Sequence, residues 1–324
     1  MRLASVLLAL LCTSCVMEVG PDEESPSADR AAHGRQSRPA PVIDFVLSPL
    51  PAQGPTTSCD DRRVLYLNFD GPRLAPGDTD DAALDVSYMV KTLHDSTPLQ
   101  VPAFDPGHFD AFRESNFLWL WHKPARTRAE VAEAVRTRVS QLMQPFGVEV
   151  VTTRPAADSA GCTPPYTMIV VGGAREMIEK DPTSLVIGRA PLDCGDRHHA
   201  NVGFVYSDSF YSTTRDPERA LSDVVLHEAG HTYGLEHDWI GSGPTIMTTP
   251  YDASKPPQSW GAGHVTEADV HCVAKVGDAL YPWQDETVVL TENLEGELRL
   301  EGHTCDNGSQ CQSSRCEGGF CRAP

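Results

Sequence analysis

The chain has 324 residues, with 45 carboxylates against 26 basic side chains and a formal net charge of −19. That balance argues against nucleic acid or an anionic membrane surface as the main partner, because both attract positive charge, and its usual meaning is solubility. The length suits one large domain with appendages better than two equal domains. The boundaries expected are 1–15, 16–58, 59–300 and 301–324.

Residues Met1 to Ser14 read as an export signal. Arg2 supplies the positive end, and the apolar run Leu3 to Leu11 is too short to span a bilayer. Thr13 and Ser14 before Cys15 resemble the processing site of bacterial lipoproteins, although Cys12 stands where that pattern has leucine. Lipidation at Cys15 would anchor the chain to a membrane, and plain cleavage would secrete it. Either route predicts an exported protein, as an outer-membrane or cell-surface lipoprotein or in free form. Setting aside Cys12 and Cys15 leaves eight of the ten cysteines, an even number suited to four disulfides in an oxidising compartment. Spacing does not fix their pairing. The set expected is Cys59 with Cys162, Cys194 with Cys272, Cys305 with Cys316 and Cys311 with Cys321.

From Val16 to about residue 58 the composition is Pro-, Ser- and charge-rich without an apolar period, which predicts a flexible linker or a short pro-segment. Order begins with a buried-strand pattern at Arg63–Phe69, closed by Asp70-Gly71-Pro72. The stretch Arg73 to Pro124 shows no clean period and reads as an insertion packed on the domain as a wall of the cleft. Thr127 and Glu130 form a capping box. The helix they open repeats Val131, Val135, Val139 and Leu142 on one face, until Pro145 and Gly147 end it. Strands are predicted at Val148–Thr153, Met168–Val171, more weakly at Ser184–Ala190, and at Val202–Tyr206. Asp216-Pro217-Glu218 then starts a helix that runs through Leu221, Val224 and Val225.

That helix reaches His227-Glu228-Ala229-Gly230-His231-Thr232-Tyr233-Gly234-Leu235-Glu236-His237-Asp238. Residues four apart lie one turn up the same helical face, so His227 and His231 can put two imidazoles on one ion. Glu228 sits about 100° around the helix, near enough to hold a water beside that ion without ligating it. Gly234 can take the left-handed conformation of a sharp stop, after which the chain can return His237 to the same ion. Glu236 and Asp238 are the rival third ligands. Three neutral imidazoles with one open position describe a catalytic zinc site. Histidines on a solvated helix face are the bland alternative.

The pattern resembles the metzincin metallopeptidases, whose HExxHxxGxxH signature is followed by a methionine turn, here Thr245-Ile246-Met247-Thr248. The resemblance implies an α+β, zincin-like catalytic domain: a twisted mixed sheet, an active-site helix and a small lower subdomain. It also implies Zn2+ on His227, His231 and His237, Glu228 as general base, and Met247 beneath the histidines as an apolar floor. The function implied is hydrolysis of peptide bonds in a peptide or protein substrate by a monomeric exported endopeptidase. Substrate would lie along the Ser184–Ala190 edge of the sheet. Tyr251 is a candidate oxyanion helper, and Asp238 a brace for the turn.

The rival functions are a catalytically silent zinc-bearing binding or adhesion protein, and a zinc amidase acting on a non-protein acyl amide. An intact Glu228 speaks against the first. His198-His199 is a weak candidate for a second metal site, since adjacent residues do not face one way. A further helix is expected at Thr266–Lys275, with Thr266 and Asp269 in capping-box register. The tail holding Cys305, Cys311, Cys316 and Cys321 has too little apolar content to fold without cross-links. It reads as a disulfide-rich module, with a zinc knuckle as the rival.

Overall fold

The computed structural model describes residues 46–47, 63–94, 96–113, 125–157, 163–179, 186–239, 245–249, 258–265, 272, 283–294, 316–317 and 320–321. A two-residue strand β1 (Val46–Leu47) precedes β2 (Arg63–Asn68). An insertion follows, made of β3 (Arg73–Pro76), β4 (Val86–Ser87), the short helix α1 (Tyr88–Thr92) and β5 (Leu99–Gln100). Helix α2 (Arg128–Met143) leads into β6 (Val148–Val151) and β7 (Tyr166–Val171). Strands β8 (Gly188–Arg189), β9 (Pro191–Leu192) and β10 (Val202–Val205) come before α3 (Pro217–Thr232). Beyond α3 lie β11 (Asp238–Trp239), β12 (Thr248–Thr249), β13 (Ala262–His264), β14 (Trp283–Asp285), α4 (Glu286–Asn293), β15 (Cys316–Glu317) and β16 (Phe320–Cys321).

The central sheet has the order β6-β2-β7-β10-β8. Its first four strands run parallel and β8 is antiparallel to β10, so the fold is α+β with a mixed sheet. Parallel strands covered on both faces need apolar residues at every position, and all six residues of β7 are buried. Alternation still sorts the two faces. Leu65, Leu67, Val148, Val150, Ile169 and Val205 pack toward α2 and α3. Val64, Tyr66, Met168, Val170, Val202 and Phe204 pack on the other side with Leu74, Met89, Val90, Leu99 and Val101. Each such fully buried side chain contributes roughly 1.5–3 kcal/mol.

The insertion therefore has a definite place. Its strands form a small sheet of order β4-β3-β5 that covers the sheet face opposite α3. Aperiodicity hid it, because four-residue and two-residue strands are too short to show a pattern. Its later part crosses over, and Phe104, Phe109 and Phe112 join the helix-side core.

Helix α2 opens with the expected capping box: Thr127 Oγ1 accepts from Glu130 N at 3.3 Å and Glu130 Oε2 accepts from Thr127 N at 2.7 Å. It buries Val131, Val135, Val139 and Met143, with Leu142 partly buried against the same core, and Gly147 at φ +71° follows its end. The strand expected at Ser184–Ala190 pairs with β10 only over β8. Pro191 then contributes no N–H to a ladder, and β9 instead pairs in parallel with β1. Thus part of the segment read as a linker carries a strand.

Cys194 and Cys272 are joined, the one disulfide among the described residues. Cys59, Cys162, Cys305 and Cys311 lie outside those residues, as do the export signal, Cys15, Tyr251 and nearly all of the helix expected at Thr266–Lys275. In the tail, β15 and β16 are antiparallel with Cys316 opposite Cys321, and the rest of the expected disulfide-rich module lies outside the described residues. No described helix is long and apolar enough to cross a membrane.

Candidate metal centre

Helix α3 supplies the centre because its start and stop are both written locally. Asp216 Oδ1 accepts from Arg219 N at 3.2 Å, Pro217 fills the first turn, and Gly234 at φ +90° turns the chain out of the helix. A side chain at Gly234 would also collide with Asn293, the Asp193 carbonyl and Gly195 N, so the stop cannot shift.

Beyond that turn His237 comes back to His227 and His231. One nitrogen from each of the three lies within 4.8 Å of the others, and all three rings are buried. His227 Nδ1 donates to the Ile246 carbonyl and His231 Nδ1 to the Leu235 carbonyl, each at 2.8 Å. A carbonyl can only accept, so both protons sit on Nδ1. Burial pushes His227 down to about 3 and His231 well below the ordinary histidine range, with the neighbouring imidazoles adding to the effect. Both rings are neutral, and each Nε2 presents a lone pair.

Those two Nε2 atoms stand 3.2 Å apart, and His237 Nε2 is 3.0 Å from that of His231. The first contact cannot be a hydrogen bond, since neither nitrogen carries a proton. Lone pairs aimed at one another in a dry site repel, and a cation between them turns the repulsion into coordination. The donor set therefore fits a metal ion, and the carbonyls behind the rings fix the tautomer as outer-shell partners do. Neutral imidazole suits zinc among several divalent metals.

Glu228 is buried beside this cluster, and its Oε2 has no hydrogen-bond partner among the described residues. Burial holds its carboxyl well above the ordinary range, and the Arg189 charge works against that shift. Arg189 is itself bound to Glu179, with Nη2 to Oε2 at 3.0 Å, and Tyr206 donates to the same carboxylate at 3.4 Å. The carboxylate of Glu228 passes directly over β8: a Cβ on Gly188 would lie 2.2 Å from Oε1. On the other side of the helix, a Cβ on Gly230 would lie 2.6 Å from Met247 Sδ. Met247 is fully buried against that glycine and makes the apolar floor.

Neither rival third ligand joins the cluster. Glu236 Oε1 accepts from Cys272 N at 2.6 Å, and Asp238 Oδ2 accepts from Thr245 Oγ1 at 2.9 Å. Asp238 braces the methionine turn, as its backbone N–H also donates to the Met247 carbonyl. It lies beside Glu286, whose carboxyl is held well above the ordinary range by burial and by the Asp238 charge. Among the described residues His198 and His199 join no second cluster of metal-ligating side chains. His198 Nε2 donates to the Asp80 carbonyl, whereas His199 Nδ1 accepts from Arg63.

Sequence reasoning missed Gly188, Arg189, Glu179, Gln284 and Glu286. Only Gly230, a glycine inside a helix where it costs stability, carried a local signal that something packs against it.

No protein-family model matches the chain, and no curated protein matches it. Among solved structures it is similar to an archaemetzincin from Methanopyrus kandleri, at 11% identity over 63% of this chain and 92% of that one, with a TM-score of 0.31. It is also similar to the GM1-bound form of the ECX AB5 holotoxin, at 12% identity over 71% and 80%, with a TM-score of 0.29. Likenesses this distant assign no activity. The geometry itself defines a buried three-histidine cluster able to coordinate a metal ion, with a carboxylate beside it.

Proposed function

We propose that this chain is an exported zinc-dependent endopeptidase of the metzincin type. The observation that carries the reading is the convergence of the Nε2 atoms of His227, His231 and His237, those of His227 and His231 unprotonated, next to Glu228, whose Oε2 has no hydrogen-bond partner among the described residues. Zinc bound by three neutral imidazoles with one position open supplies Lewis acidity, polarising a carbonyl and acidifying water.

The protein's own residues do the rest. Glu228 takes a proton from the attacking water at Oε2 and later delivers it to the leaving amine. Burial raises its proton affinity, and the Arg189 charge works against that shift. Ile246 and Leu235 hold the ligand rings through Nδ1, and Met247 keeps the floor dry. Substrate is a peptide or protein segment. The catalytic unit spans 59–300, export follows from residues 1–15 with lipidation at Cys15, and the working form is a monomer that binds no nucleic acid.

The test is cleavage of unstructured casein by the wild type with and without a chelator, beside Glu228→Gln. The wild type should hold one zinc and lose activity on chelation. Glu228→Gln should keep its zinc yet lose at least roughly 10²–10⁴-fold in rate, the usual worth of general acid–base catalysis. Near-full hydrolysis by zinc-loaded Glu228→Gln would refute the mechanism. Zinc binding without any turnover by the wild type would favour the binding-protein reading.

A further inference from the structure

Helix α3 fixes His227 against His231, but His237 stands on the loop beyond Gly234, where no helical geometry holds it. We propose that Gln284 is the positioning residue for the third ligand: its side-chain amide clamps the backbone of Glu236 and so sets where His237 presents its nitrogen. The proposal rests on the reading that the three histidines hold a metal.

Gln284 is 1% exposed. Its Oε1 accepts from Glu236 N at 2.9 Å and its Nε2 donates to the Glu236 carbonyl at 2.9 Å. One primary amide thus satisfies both polar groups of the residue just before His237, as a neighbouring strand would. A primary amide offers a donor and an acceptor side by side at any pH, and of the two amide side chains glutamine has the longer reach.

The residue after His237 is tied as well, by Asp238 N to the Met247 carbonyl at 2.9 Å. His237 is therefore held between two fixed peptides. The clamp itself is anchored. Gln284 sits opposite Gly263 in the β13–β14 pair, and Glu286, two residues on, accepts from Gly261 N and Met247 N at 3.0 and 3.1 Å. Glu236 gains a third tie through its carboxylate to Cys272 N.

Without the amide, a buried N–H and a buried carbonyl lose their partners and the loop must move to find others. His237 moves with it. Outer-shell partners of metal ligands typically change affinity by about 10–100-fold.

Two variants test this. Gln284→Met keeps the volume and removes both bonds. Gln284→Glu, assayed at a pH where its carboxyl is ionised, keeps the acceptor for Glu236 N but sets a second oxygen against the Glu236 carbonyl. Zinc affinity would be measured by competition with a chromophoric chelator, and the site geometry by the visible absorption of the cobalt-substituted protein, alongside wild type and His237→Ala. Both Gln284 variants should bind zinc about 10–100-fold more weakly than wild type and show a changed cobalt spectrum. A merely structural role would lower the unfolding midpoint of the metal-free protein and leave affinity and spectrum alone. Wild-type affinity and spectrum in Gln284→Met would overturn the proposal. Should that variant not fold, Gln284→Glu decides, and failure of both to fold makes the residue structural and also ends the proposal. If wild type binds no zinc, or His237→Ala binds it equally well, the three-histidine reading is what has failed.

Discussion

At the scale of single residues, two glycines do what no side chain could. Gly230 leaves the space that Met247 Sδ fills beneath the ligand helix, and Gly188 leaves the space that the Glu228 carboxylate fills above it. The second makes a sharp prediction, because what a Cβ at 188 would strike is a flexible side chain rather than backbone. Gly188→Ala should shift the carboxylate of Glu228, at the roughly 1–3 kcal/mol that overpacking a buried site costs. A misplacement of about 1 Å in a catalytic group can cost roughly 10²-fold in rate, so casein cleavage by the folded variant should fall by that order. Undiminished turnover would show that Glu228 tolerates displacement and is not the base. The histidines and Glu228 were legible because their spacing is local, four residues on one helix and six across one turn. Gly188 acts on Glu228 from forty residues away, and Gln284 acts on Glu236 from forty-eight. No local pattern records such a meeting.

At the scale of elements, the long ones read well and the short ones did not. Helix α2 begins at its capping box, and α3 begins at Asp216-Pro217, since a cap and a period of 3.6 are strong signals. Strands of two residues, such as β8, β9, and β4 and β5 of the insertion, have no period to read. Helix α4 was not expected at all, although Asp285 caps it through Val288 N at 3.1 Å. Asp80 shows what joins the insertion to the sheet. Its Oδ1 accepts from Tyr88 N at 2.7 Å, at the start of α1, and its Oδ2 accepts from Val202 N at 3.2 Å, at the start of β10. Burial nevertheless dominates, and raises its carboxyl from an ordinary 3.8 to about 6. A folded-state value above the unfolded one means the folded protein holds the proton more tightly. The stability from this group is complete below pH 3.8 and is lost as pH rises through about 6. A shift of that size corresponds to about 3 kcal/mol. Urea unfolding of wild type and Asp80→Asn across that window should show the wild type losing stability by that order relative to the variant. Parallel pH profiles for the two proteins would mean that Asp80 is already ionised at the low end of the window.

At the scale of the whole molecule, the centre lies where an upper layer of sheet and helices meets a lower segment built from β11 to α4. The Met turn, Gln284 and Asn293 all cross that junction by hydrogen bonds: the Ile246 carbonyl accepts from His227, Gln284 holds the backbone of Glu236, and Asn293 donates to the Tyr233 carbonyl at 2.7 Å. The disulfide crosses it too. Cys194 lies two residues past β9, and Asp193 between them donates its N–H to the His231 carbonyl, while Cys272 offers its N–H to Glu236. The two cysteines are 78 residues apart in the chain. Closing a loop of that length is worth about 4 kcal/mol if the gain is counted as lost chain entropy, and 2–4 kcal/mol is typical of measured cases. A zinc ion on the three histidines would add stability by mass action, about 4 kcal/mol at a thousandfold excess over its dissociation constant. Because both staples hold the same junction, their effects should not add. Removing the disulfide, as Cys194→Ser with Cys272→Ser, should lower stability by about 2–4 kcal/mol and also loosen the loop that carries His237. Zinc should then stabilise the variant less than it stabilises wild type. Four unfolding curves decide the matter, wild type and variant, each with zinc and with a chelator. Equal stabilisation by zinc in both proteins would place the disulfide outside the metal centre's support and leave the hydrogen bonds from β14 and α4 to carry it.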